Sequence, residues 1–139
     1  MLDDRRGATS LEFALLGTAL MALSMGIIEY GRLSWTREAL QGVAIEGARC
    51  MGVQAINCGS GGVYNATTTT GFLTGKAAVW DIALTPGSFV LDRTATCGGV
   101  TGFSQVTISY GFVTVVPLLL TQLGASVPLV VQACFPNQT

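Results

Sequence analysis

Residues 13–28 (FALLGTALMALSMGII) form an uncharged, predominantly apolar run bracketed by Glu12 on one side and by Glu29 and Arg32 on the other. As a helix rising 1.5 Å per residue the run reaches about 24 Å, somewhat short of the ~30 Å hydrocarbon core of a bilayer. It spans if Leu11 and Leu33 lie at the two interfaces and the flanking charged side chains reach the headgroups. Beyond it Trp35, Ala39, Leu40, Val43, Ala44, Gly47, Ala48 and Met51 recur at three- and four-residue steps, leaving Arg37, Glu38, Gln41, Glu46 and Arg49 largely opposite. The pattern predicts one continuous helix over residues 8–51, apolar nearly all round in its first half and amphipathic in its second.

Past the helix the period changes. Residues 57–75, with a glycine cluster and four consecutive threonines, have the composition of a loop with a short turn near Phe72, and residues 76–84 fit either a short helix or a strand. Segments 89–97, 105–113 and 127–135 are rich in β-branched and aromatic residues and are bounded by Gly or Pro, which predicts three strands. A helical turn over 116–122, around Pro117, would join the last two. The expected fold is α+β, a long N-terminal helix packed on a small antiparallel sheet. Three regions are expected along the chain: a leader over 1–7, a hydrophobic transmembrane helix over 8–33, and an extracytoplasmic domain over 34–139.

Charge placement sharpens this picture. The 139 residues carry a net charge of −1 and only 11% charged side chains, and after Arg49 the charges are Lys76, Asp81, Asp92 and Arg93 alone. A domain so weakly charged is poorly protected against self-association, which suits packing into an assembly or against a membrane. Nothing in the balance favours nucleic acid as a partner. Arg5 and Arg6 favour a cytoplasmic N-terminus, although Arg32 and Arg37 dilute the asymmetry. Gly17, Gly26 and Gly31 each cost the helix roughly 1 kcal/mol relative to Ala, yet they let another helix approach closely.

Histidine is absent, which removes the commonest metal ligand and general base, and the sequence calls for no cofactor. The four cysteines, Cys50, Cys58, Cys97 and Cys134, contain no C-x-x-C pair. Outside the cytoplasm an even count reads as two disulfides, with three connectivities open. We favour Cys50–Cys58, a short tie at a helix end, with Cys97–Cys134, a strand-to-strand tie.

The element with chemistry in it is Gly7-Ala8-Thr9-Ser10-Leu11-Glu12-Phe13, a carboxylate at the mouth of a membrane-length apolar run. An acid at the centre of a membrane helix costs about 2.5–3.5 kcal/mol and less near an interface, where Glu12 is expected. A basic leader ending in Gly, followed by Glu-Phe opening an apolar helix, resembles the processing site of type IV prepilins. More narrowly, residues 5–49 resemble the TadE-like family of Tad/Flp pilus pseudopilins, whose R-G-x-x-x-x-E-F-A element corresponds to Arg6 through Ala14 and whose I-x-E-x-G-R element corresponds to Ile27 through Arg32. Residues 106–120, with Tyr110, Phe112 and Pro117, are similar to the family's closing strand region, and 52–104 carry no matching motif.

The resemblance implies a type IV pilin-like fold with 8–33 as a polymerisation helix, and cleavage between Gly7 and Ala8 by a membrane prepilin peptidase, making Glu12 the fifth mature residue. Glu12, with Phe13 beside it, would meet the new α-amino group of a neighbouring subunit, since a charged pair costs less in an apolar bundle than either ion alone. The implied partners are the peptidase, other pilin or pseudopilin subunits, the assembly machinery and the membrane. The implied location is a bacterial inner membrane with the domain outside, in the role of a minor subunit. Glu29 and Arg32, three residues apart, are expected to form an interfacial or subunit-contact ion pair.

Other readings compete. The chain could be a main fibre subunit, or a disulfide-bonded domain without a pilus role, either membrane-anchored or released by signal peptidase near Ala22-Leu23-Ser24. A membrane-tethered enzyme would depend on Asp81, Asp92, Lys76 and Arg93, whose spacing forms no catalytic motif, and no enzymatic activity is expected.

Overall fold

The computed structural model describes residues 5–60, 63–115 and 126–138. Helix α1, Arg5–Gly52, is 48 residues long, which at 1.5 Å per residue is about 72 Å. Its second half carries the predicted stripe: Ala39, Leu40, Val43, Ala44, Gly47, Ala48 and Met51 are buried, while Arg37, Glu38, Glu46 and Arg49 stay exposed. Half-buried Gln41 reaches across to donate its Nε2–H to the carbonyl oxygen of Gln132 at 3.0 Å. Trp35, expected on the core stripe, is exposed and instead meets Trp80 edge to face, with ring centroids 5.8 Å apart.

The helix ends where Gly52 passes under Phe135, whose ring would lie 2.6 Å from any Cβ placed there. A disulfide then turns the chain back, joining Cys50 to Cys58. Two-residue strands β1 (Gly59–Ser60) and β2 (Val63–Tyr64) pair antiparallel and lead into helix α2, Ala66–Ala78.

Helix α2 replaces most of what the sequence pattern suggests is loop. Asn65 caps it, accepting from the N–H groups of Thr67 and Thr68 at 2.9 and 3.1 Å. The threonine hydroxyls, which would otherwise draw the backbone out of helix, donate one turn back: Thr69 to the Asn65 carbonyl, Thr70 to Ala66 and Thr74 to Thr70. Thr69, Leu73 and Ala77, spaced four apart, form the buried stripe, and Leu73 fills the space that a side chain at Gly47 would need. An ion pair between Lys76 and Glu46, 2.7 Å long and half exposed, spans the two helices and adds little. Of the ambiguous stretch 76–84, the first residues close α2, and the rest forms a turn that buries Ile82 and Leu84.

Strands β3 (Phe89–Cys97), β4 (Val100–Val113) and β5 (Ser126–Pro136) form an antiparallel meander with β4 in the middle. The fold is therefore α+β, a long N-terminal helix on a small three-stranded sheet. Strand β4 begins five residues earlier than the sequence pattern indicates, because Gly98 and Gly99, with φ of 59° and 83°, make a two-residue hairpin turn directly after Cys97. Gly102, at φ 88°, accompanies register irregularities opposite β3. Alternation along the strands turns Ser104, Val106, Ile108, Phe112, Leu129, Val131 and Ala133 toward the helices. A second disulfide, Cys97–Cys134, links the outer strands β3 and β5. The helical turn expected over 116–122 lies outside the described residues.

Candidate functional site

The first turns of α1 contain Gly7 and Ala8, whose backbone is helical and whose side chains lie outside the described set. One turn on, Glu12 is exposed, and Phe13 beside it is 77% exposed. From Leu11 to Ile28 ten large apolar side chains are exposed. Monomeric soluble proteins rarely leave so long a contiguous apolar surface uncovered. At ~1.5–3 kcal/mol for each side chain fully buried, covering it is worth on the order of 20 kcal/mol.

This half of α1 is built to sit in an apolar surrounding. The hydroxyls of Thr18 and Ser24 donate to the carbonyls of Leu15 and Leu20 at 3.0 and 2.8 Å, so neither needs water. Gly17, Gly26 and Gly31 have open space where a Cβ would stand, and Ala19, Ala22 and Gly26 with Leu23, Ile27 and Tyr30 line a shallow groove. By length and composition α1 contains a membrane-crossing stretch, the one such helix among the described residues.

At the far end of that stretch, Glu29 joins helix to domain. Its side chain is nearly buried despite the apolar helix around it. It accepts a hydrogen bond from Arg32 Nη1 at 2.9 Å and another from the backbone N–H of Val115, just past β4, at 3.1 Å. The Arg32 guanidinium also lies over the ring of Phe112, 5.5 Å from its centroid. The pair thus does more than bridge two neighbouring helix positions, because it fastens the end of β4 to the level at which the apolar stretch stops. The i,i+3 spacing of Glu29 and Arg32 is visible in the sequence, whereas the partner Val115, 86 residues away, is not.

Three of the four polar residues weighed for catalysis, Lys76, Asp92 and Arg93, are engaged in structural contacts. Lys76 pairs with Glu46, and Asp92 accepts from both the N–H and the hydroxyl of Thr94 at 2.8 and 2.9 Å, which holds its carboxyl below the usual range. Arg93 lies over the Tyr64 ring, and burial pushes the Tyr64 phenol up while the Arg93 charge opposes that shift. Among the described residues no group of three or more Cys, Asp or Glu side chains is arranged to hold a metal ion.

The family model of TadE-like proteins matches residues 7–49. This N-terminal segment is similar to TadE-like proteins. No curated protein and no solved structure matches the chain. The matched segment begins at Gly7, takes in Glu12, the whole exposed apolar belt and the Glu29–Arg32 pair, and stops one residue before the first disulfide. The family's sequence pattern therefore coincides with α1, leaving α2 and the sheet outside it.

Proposed function

We propose that this chain is a minor pseudopilin of a Tad/Flp-type pilus, matured by prepilin peptidase between Gly7 and Ala8 and then packed through α1 into a pilus assembly. The observation that carries the reading is the coincidence of the TadE-like match with an apolar half-helix whose large side chains are exposed among the described residues. Before assembly the bilayer covers it. In the assembly the helices of other subunits do, with the glycine positions permitting close approach.

The two disulfides support an extracytoplasmic domain, because such bonds persist in oxidising compartments. With the domain outside, the Gly7–Ala8 bond lies on the cytoplasmic side of the inner membrane. Cleavage there creates an α-amino group four residues before Glu12, and the exposed Glu12 carboxylate is available to the amine of an adjacent subunit. The role of the chain is structural, in pilus assembly and surface attachment.

Glu12→Ala tests the assembly step. The variant is expected to be cleaved normally, as read by intact mass, and to be depleted from sheared pilus fractions relative to the wild-type chain. Normal incorporation of the variant would refute the role given to Glu12.

A further inference from the structure

We infer that the cleft between α1 and the C-terminal end of α2 binds the ammonium group of a zwitterionic phospholipid from the bilayer holding α1, an inference that rests on the membrane-anchored state proposed above. It goes beyond that state by giving the domain a headgroup site of defined chemistry.

The first observation is the lining of the cleft, whose volume is about 290 Å³. Trp35 on α1 and Trp80, two residues past α2, are 65% and 49% exposed, and their rings meet with centroids 5.8 Å apart and planes at 68°. Two rings at that angle make the adjoining walls of a corner, and an aromatic face attracts a cation within about 6 Å of its centroid. Buried Ala39 and Val43 line the inner side.

The second observation is charge. Glu38, Glu46 and Lys76 are the charged residues lining the cleft. Lys76 is already engaged, with its Nζ 2.7 Å from Glu46 and 5.5 Å from the centroid of the Phe72 ring. Glu46 stands eight residues beyond Glu38, about 12 Å along the helix, so this pair neutralises the far end of the cleft. Glu38, three residues from Trp35, is exposed and has no hydrogen-bond or ion-pair partner among the described residues. The corner thus holds one uncompensated negative charge beside two aromatic faces, which favours a cation and disfavours an anion.

The third observation is depth. With Leu33 at the interface and α1 upright, Trp35 and Glu38 stand about 3 and 7.5 Å beyond the hydrocarbon. The headgroup layer on each side of a bilayer is about 5–7.5 Å thick, so the corner lies within it, whereas Glu46, about 20 Å out, lies in water. In a zwitterionic phospholipid the phosphate is joined to the glycerol and the ammonium lies beyond it. Three residues nearer the hydrocarbon than Trp35, Arg32 shares a second, shallow groove with that ring, and its side chain stays 46% exposed alongside the bond to Glu29. The order along α1, a cation followed by an aromatic corner with a carboxylate, matches the order of phosphate and ammonium in the headgroup. Among possible sources of an ammonium group, the bilayer is the one already held at this depth.

The test uses the full-length chain in phosphatidylglycerol nanodiscs, isotopically labelled at its indole nitrogens and isoleucine methyl groups. Trp35 and Trp80 are its only tryptophans, so the indole N–H signals report the corner alone. Either phosphatidylethanolamine or an uncharged glycosyl diacylglycerol is mixed into the discs, and a parallel sample with a nitroxide on the lipid acyl chain shows through broadening of Ile27 that α1 spans. The expected result is a saturable shift of both indole signals with phosphatidylethanolamine. The glycolipid, which dilutes the anionic charge equally, should shift them little, and Glu38→Gln should weaken the phosphatidylethanolamine response roughly threefold or more. With Ile27 broadened, indole signals that ignore phosphatidylethanolamine, respond equally to both lipids or are unaffected by Glu38→Gln would overturn the headgroup site while leaving the anchor intact. An unbroadened Ile27 would overturn the anchored state and the headgroup site with it.

Discussion

Removing the Cys97–Cys134 bridge should be the most damaging change that leaves the core side chains in place. The bridge closes a 37-residue separation, links β3 to β5, and has Cys97 half-buried and Cys134 exposed, so a Cys97→Ala/Cys134→Ala variant loses little packing. Its effect comes mainly from the unfolded chain, which regains the freedom that the cross-link removes. For 37 residues the chain-entropy relation gives about 4 kcal/mol at 25 °C, against about 2.5 kcal/mol for the eight-residue separation of Cys50 and Cys58. In a domain of this size the larger loss lowers Tm by roughly 15 °C or more. Guanidinium unfolding of the nanodisc-held protein, followed through Trp35 and Trp80 emission, measures it. A loss below about 1 kcal/mol would refute the reasoning, since the cross-link would then not be constraining the unfolded chain.

Two further changes probe the domain. Leu73→Ala removes a fully buried side chain at the contact between α2 and Gly47 and is expected to cost about 3 kcal/mol in the same unfolding assay; a loss under about 1 kcal/mol would mean that α2 does not dock as described. Thr94→Val removes the hydroxyl that donates to Asp92, so the Asp92 carboxyl should titrate closer to its ordinary value by NMR, and an unchanged titration would contradict the assigned hydrogen bond. Because the folded carboxyl titrates below its unfolded counterpart, the stabilisation from Asp92 is fully present above the unfolded value and fades as pH falls through the folded one.

The parts of the fold that the sequence discloses are those in which local pattern and tertiary need agree. Helix α1 is legible because an unbroken apolar run passes into a 3.6-residue stripe, and the strands because β-branched residues alternate between turn signals. Helix α2 is obscured by five threonines and two glycines of low helix propensity. Its stability comes from the Asn65 cap and from burial against α1, which the run of loop-forming residues conceals. The start of β4 is hidden for a similar reason, since three glycines read as loop where two of them form a hairpin turn inside the ladder.

The site divides the same way. Glu12, Phe13 and the Glu29–Arg32 spacing stand out from the chain because charge beside a long apolar run is unusual. Periodicity places Trp35 on the core stripe, but the position lies where α1 has Trp80 beside it in place of the sheet. The Glu29–Val115 hydrogen bond depends on how the sheet sits along the helix, which no local pattern encodes.

The N-terminal sequence and intact mass of the protein isolated from its native membrane decide whether it is a processed pseudopilin that keeps its apolar helix. A processed pseudopilin begins at Ala8 and retains the whole apolar stretch. A chain beginning near Met25, with that stretch removed, would contradict the pseudopilin reading.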